Sequence, residues 1–236
     1  MELPARERDA YIAWRPEFPE PRLEAGNTAL LIIDMQYLDA HPDYGMLRSV
    51  RAAGFEEEFR QLAERLEKVI VPNLRLLQDE FRSAGLEVIH TKIQSMTSDG
   101  RDRGRSHKKL GLAAPPGSKE GEILEELAPL ANELVFSKTA GSVFQSTNVE
   151  YVLRNMDIRT LVIGGVVTTG CVHTAVSDAA DRGFNVILVE DGCGAIVHDM
   201  HVASIRTLRD VYCKVMTARD VVDRVRALRG LALSRS

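Results

Sequence analysis

Two short runs of uninterrupted apolar residues constrain this chain more than any other feature: TALLII at 28–33 and TLVIGGVV at 160–167. A strand with one wet face alternates apolar and polar residues, because successive side chains point to opposite sides. A run without alternation calls for burial on both faces, and a parallel sheet covered by helices on either side supplies it. The rest of the chain reads the same way. Residues 59–83 place apolar side chains at helical spacing and stop near Gly85. Residues 86–93, 133–136, 184–189 and 214–217 read as further strands, while 95–121, polar and rich in Gly, Arg and Pro, reads as a long loop. Helices are expected at 123–130, at 147–155 behind a Thr147/Glu150 capping box, at 171–182 closed by Gly183, and near 199–210 and 219–229. Strands alternating with helices define an α/β class: a three-layer, Rossmann-like fold with a mainly parallel sheet and helices on both faces. Residues 1–27, proline-rich, form an irregular N-terminal arm, and 28–236 a single domain.

Composition narrows the partners. The formal charge is −4, so no global basic field points to nucleic acid, and no apolar run is long enough to span a membrane. The first residues, MELPARERDAYIAW, lack the apolar stretch of a signal peptide. Cysteines at 171, 193 and 213 form no CxxC pair and no even framework, as expected for free thiols in a cytoplasmic protein.

Ligands of open α/β sheets bind beyond the carboxyl ends of the strands. Three reactive residue types fall there: Asp34 after the first strand, Lys138 after the third and Cys171 after the fourth. In VVTTGCV (166–172) Gly170 permits a tight turn and puts Cys171 in the first turn of a helix. Free N–H groups and the positive helix end favour a thiolate there, and a neighbouring Lys138 would lower the thiol pKa further. Asp34, ending an apolar strand, is suited to take the thiol proton and later to activate water. Each residue alone also has an ordinary explanation: a buried structural cysteine, a turn aspartate, a solvated lysine.

The segments ALLIIDMQ (29–36), FSKTAGSVFQST (136–147) and GGVVTTGCVHTAVSDAADRGF (164–184) resemble the three signatures of the cysteine hydrolases with the isochorismatase-like fold. The resemblance implies a hydrolase that cleaves a C–N bond of a small ureido, carbamoyl or carboxamide substrate through a cysteine thioester, without a cofactor, as a homodimer or homotetramer. It assigns Asp34, Lys138 and Cys171 as the catalytic triad. It also implies a cis peptide between Val166 and Val167, and an oxyanion hole made by the N–H groups of Val167 and Cys171. The stretch HTKIQSMTSDG (90–100) lacks the His-rich metal cluster of nicotinamidases, so no metal is expected. The cysteine argues against the vinyl-ether hydrolysis of true isochorismatases. That reaction, or a non-catalytic binding protein of the same fold, is the alternative.

Gln36, Tyr37, Tyr44, Phe144, Gln145 and His173 flank the motifs and are candidates to bind substrate. His198 and His201, three apart on a helix, have no third metal ligand in view and suit capping or structural roles. Cys193 and Cys213 are expected to be inert, with Cys193, in DGCGA, open to exposure. Arg101, Arg103, Arg105, His107, Lys108 and Lys109 form a basic loop, read either as a solvated surface or as a lid that draws an anionic substrate.

Overall fold

The computed structural model describes residues 2–233. Six strands form one parallel sheet: β1 (Thr28–Ile33), β2 (Glu87–Ile93), β3 (Leu134–Lys138), β4 (Thr160–Val166), β5 (Asn185–Gly194) and β6 (Lys214–Met216), in the order β3-β2-β1-β4-β5-β6. Every residue of β1 and β4 is buried, so both faces of the sheet centre are covered. Helix Val71–Ser83 packs on β1, β2 and β5 and against the helix Ala218–Leu233. Helix His173–Asp181 packs against β5 and between Val143–Ser146 and His198–Leu208.

The strand order reverses between β1 and β4, the kind of position at a sheet's carboxyl edge where ligands of open α/β folds bind. Gly165 serves that junction. Its φ is +125°, and a Cβ on it would stand 2.1 Å from the carbonyl oxygen of Ile33, so only glycine lets β4 approach β1 this closely.

Local boundaries depart from the expected pattern where tertiary contacts outweigh periodicity. The helix expected from 59 begins at Glu56 and runs through a π-helical segment, Leu66–Ile70, before Val71–Ser83. Residues 123–130 hold only the 3₁₀ turn Glu125–Leu127. The loop 95–121 contains a short helix, Arg105–Lys109, and a 3₁₀ turn, Lys119–Gly121. No capping box forms at Thr147: its hydroxyl donates back to the Val143 carbonyl, and Glu150 pairs instead with Arg154 and Arg182. The N-terminal arm is mostly irregular but anchored, with Ile12 and Asp9 buried.

Candidate active site

Asp34 is the first residue beyond β1 and adopts a left-handed conformation, φ +52°. A non-glycine residue is uncommon there, and the surrounding bonds hold it. The Asp34 N–H donates to the Thr91 carbonyl (3.1 Å), and the Thr91 hydroxyl donates to Asp34 Oδ1 (2.7 Å). Gln36, two residues on, is fully buried. Its amide donates to the carbonyls of Ile93 (3.0 Å) and Glu120 (2.8 Å) and accepts from the Ile93 N–H, which pins β1 to β2 and to the loop above. The Gln36 amide is thus engaged by backbone on both its nitrogen and its oxygen.

Lys138 ends β3, two strands from β1, and its side chain reaches across the end of β2. Its ammonium forms an ion pair with Asp34 Oδ2 at 2.8 Å and donates to Cys171 Sγ at 3.3 Å and to the Ala140 carbonyl at 3.0 Å. Lys138 and Asp34 are both fully buried. Burial alone would lower the lysine pKa; Asp34 and Cys171 outweigh it and hold the ammonium charged, above its ordinary range. Although Asp34 Oδ2 lies beside that ammonium, no donor meets it in hydrogen-bond geometry.

Cys171 lies in a π-helical turn, Thr168–Val172, and the α-helix behind it starts only at His173. The residue is 9% exposed. Burial pushes its pKa well above the ordinary thiol value; Asp34 adds to the rise, and Lys138 opposes it. This corrects the expectation of a resting thiolate. Helix end and lysine both favour the anion, but desolvation and the adjacent carboxylate outweigh them. The Val166–Val167 peptide is cis. The turn is supported from behind by helix His198–Leu208: Ser204 donates to the Thr168 carbonyl (3.0 Å), and His201 Nδ1 lies 2.8 Å from the Thr168 hydroxyl.

The structure therefore brings Asp34, Lys138 and Cys171 into one connected group. The flanking candidates make contacts of their own. His173 is bonded to Ser204 (2.7 Å) in the packing between helices. Phe144 packs against Phe184, ring centroids 6.0 Å apart, and Gln145 is exposed. Tyr37 and Tyr44 form an aromatic cluster with His41, with Lys119 over the Tyr37 ring at 4.0 Å. His198 stacks on His201, and an Arg65 guanidinium nitrogen stands 3.4 Å from His201 Nε2, a poor setting for a cation. Cys193 is not exposed. It is fully buried inside β5, and burial lifts its thiol to about 12.

The basic loop is mixed. Arg101, Arg105, Lys108 and Lys109 are exposed, but Arg103 binds loop carbonyls, and His107 is buried. Gly104 N–H donates to the Thr139 carbonyl (2.6 Å), which ties the loop to the residue after Lys138. Two buried residues add to the picture: Asp39, which the sequence reading did not single out, and His107, which it placed in the basic loop without its burial. Asp39, 6% exposed in the short helix Tyr37–Ala40, and His107, 5% exposed, both stand where the charges of Asp34 and Lys138 reach them. The proximity of Asp39 in sequence to Asp34 was the one available signal.

Among curated proteins, the maleamate amidohydrolase of Pseudomonas putida is 30% identical over 151 residues, 63% of this chain and 71% of its own length. The ureidoacrylate amidohydrolase of Agrobacterium fabrum is 28% identical over 193 residues, 75% of this chain and 80% of its own. A crystal structure of a cysteine hydrolase from Pseudomonas syringae pv. phaseolicola superposes with a TM-score of 0.75 at 24% identity, covering 91% of this chain and 99% of that one, a likeness of fold. The isochorismatase domain family matches residues 28–220, and this chain belongs to that family of hydrolases.

Proposed function

We propose that the protein hydrolyses a C–N bond of a small amide or ureide, with Cys171 as nucleophile, Asp34 as general base and Lys138 as electrostatic support. The observation that carries this is the chain of contacts Asp34–Lys138–Cys171, buried at the point where the strand order reverses. Relatives named for hydrolysis of maleamate and ureidoacrylate support the class of bond.

The thiol rests protonated, so the first step needs a base. Asp34 takes the proton as the sulfur attacks the carbonyl carbon. Lys138, fixed as a cation, stabilises the developing thiolate. The backbone N–H groups of Val167 and Cys171 receive the oxyanion. Collapse of the tetrahedral adduct breaks the C–N bond, and the departing nitrogen leaves with the proton held by Asp34. Water then attacks the thioester, Asp34 takes its proton, and the acid leaves as the thiol is restored.

The test is ammonia release from a panel of small amides and ureides, with acid-quenched samples examined by mass spectrometry. Turnover of at least one substrate, with an acyl adduct on the peptide carrying Cys171, is expected. Turnover with no adduct, retained in Cys171→Ala, would overturn the cysteine mechanism.

A further inference from the structure

Two directed chains of hydrogen bonds converge on Thr168, the first residue of the turn that carries Cys171. A guanidinium can only donate. The 3.4 Å contact between Arg65 Nη2 and His201 Nε2 therefore makes that ring nitrogen the acceptor. The one proton of a neutral ring then lies on Nδ1, which donates to Thr168 Oγ1 at 2.8 Å. Burial, and after it Arg65 and His198, lower the His201 pKa to about 4, so the ring is neutral at neutral pH. In the second chain the Ser204 hydroxyl donates its one proton to the Thr168 carbonyl at 3.0 Å. Ser204 must then accept from His173 Nδ1, which lies 2.7 Å away.

The two chains grip one fully buried residue by its hydroxyl and by its carbonyl. Thr168 stands between the Val166–Val167 peptide and Cys171. The backbone before it is fixed by the sheet, where Val166 pairs in register with Gly194 of β5. Arg65 ties that same strand end: it donates to the carbonyls of Cys193 (2.9 Å) and Glu190 (3.1 Å) as well as to His201. Beyond Thr168 the turn closes on itself, the Gly170 N–H donating to the Val167 carbonyl at 3.0 Å. The segment 166–171 is thus held at its start by β5 and at Thr168 by helix His198–Leu208, and its far end sets Cys171 Sγ 3.3 Å from the Lys138 ammonium.

We propose that His201 and Ser204 are positioning residues for the nucleophile: by holding the hydroxyl and the carbonyl of Thr168, they set the Cys171 sulfur against the Lys138 ammonium and aim the neighbouring N–H groups at the oxyanion. This rests on the hydrolase reading and names residues that the reaction itself does not use. Both act through Thr168 and not on the substrate. A hydrogen bond that only filled a gap in the core would contribute stability and leave the reactivity of the sulfur alone. One that sets the place of the turn changes that reactivity even when volume is conserved, because small misplacements of reacting groups are costly.

Alkylation of Cys171 by iodoacetamide, followed by peptide mapping well below the melting temperature, reads the setting of the sulfur without any known substrate, since the rate follows the thiolate fraction. Thr168→Val and His201→Leu each remove one partner of the same hydrogen bond. Each should slow alkylation by roughly tenfold, the low end of what a nearby opposite charge does to a titration. On a substrate, each should lower kcat by roughly a hundredfold with KM nearly unchanged, the scale of a misplacement of about 1 Å. Ser204→Ala should act in the same direction. Thr168→Ser keeps the hydroxyl, and His201→Asn sets an amide N–H where Nδ1 stood; both should recover most of the alkylation rate. Asp9→Asn is the control, because it loosens the same helix through Arg206 and should lower the melting temperature without slowing alkylation. Should His201→Leu fail to fold, Thr168→Val and Ser204→Ala carry the test. Wild-type alkylation in Thr168→Val and Ser204→Ala, or an equal slowing in Asp9→Asn at the same loss of melting temperature, overturns the proposal. Slowed alkylation in a protein that releases ammonia from no amide or ureide means that the hydrolase reading fails and the positioning pair stands. Turnover with kcat and alkylation both unmoved in these variants means the reverse.

Discussion

Asp9 and Asp34 are both buried carboxylates paired with cations, and they differ in how completely they are satisfied. Asp9 lies in the N-terminal arm. Its oxygens accept from Arg206 Nε and Nη2, from Arg209 Nη2 and from the Tyr11 N–H, all at 2.8–3.1 Å. Asp34 has one good donor on Oδ1, only the Lys138 ion pair on Oδ2, and a left-handed backbone. The first arrangement leaves no capacity for a further partner and ties the arm to helix His198–Leu208. The second leaves one oxygen ready for a proton beside a thiol. Burial and pairing are common to both; the unfilled acceptor marks the reactive one.

The largest effect that tests this contrast is at the sulfur. Cys171→Ala and Cys171→Ser should lower kcat/KM by at least about four orders of magnitude with the melting temperature little changed, as for loss of the nucleophile in a catalytic unit. Activity near wild type in either variant breaks the assignment. Next comes the buried pair. Asp34→Asn and Lys138→Met should each cost roughly a thousandfold, and the double variant much less than the sum of the two losses in log units. Stability should follow another pattern. Lys138→Met strands the Asp34 charge, at about 3–5 kcal/mol, whereas the double variant removes both charges and should recover much of that without recovering activity. Chemical denaturation beside kinetics separates the two; a double variant as unstable as Lys138→Met would show that the pair is structural.

Much of this arrangement was legible in the sequence because it rests on backbone pattern. The unbroken runs at 28–33 and 160–167 required burial on both faces, and the structure gives them the two central strands of a six-stranded parallel sheet. Asp34, Lys138 and Cys171 were placed by the rule that strand ends face the crevice. What could not be read depended on solvation and long-range packing. The Cys171 thiol is raised rather than lowered because desolvation has no sequence signature. Phe144 and His173 sit beside motif residues in the chain, and their contacts with Phe184 and Ser204 come from segments far along it. Cys193 lies between glycines that suggested a turn, but β5 runs on through Gly194. His107 sat within a run of exposed basic residues, and only the tie from Gly104 to Thr139 shows why it turns inward.

The smallest effect belongs to Asp9, and its sign is set by the same accounting. Hydrogen bonds from Arg206 hold its carboxyl below the usual range against the opposing effect of burial. A carboxylate whose pKa is lower folded than unfolded contributes stability above its unfolded value, about 3.9, and loses it as pH falls through the folded value. Asp9→Asn should therefore destabilise at neutral pH by about 1–3 kcal/mol, the scale of hydrogen bonds to charged groups, because Arg206 is half-exposed and can be hydrated once freed. For a chain of this size that is roughly 2–4 °C of melting temperature per kcal/mol. The gap between wild type and variant should stay constant from pH 7 to about 5 and close below about pH 4. Turnover well below the melting temperature should not change, since no acceptor at the site is touched. A gap independent of pH would mean that Asp9 acts through shape rather than charge. A fall in kcat with the fold intact would mean that the clamp on helix His198–Leu208 reaches the Cys171 turn through Ser204 and His201, and the division between a structural and a reactive carboxylate would fail at that helix.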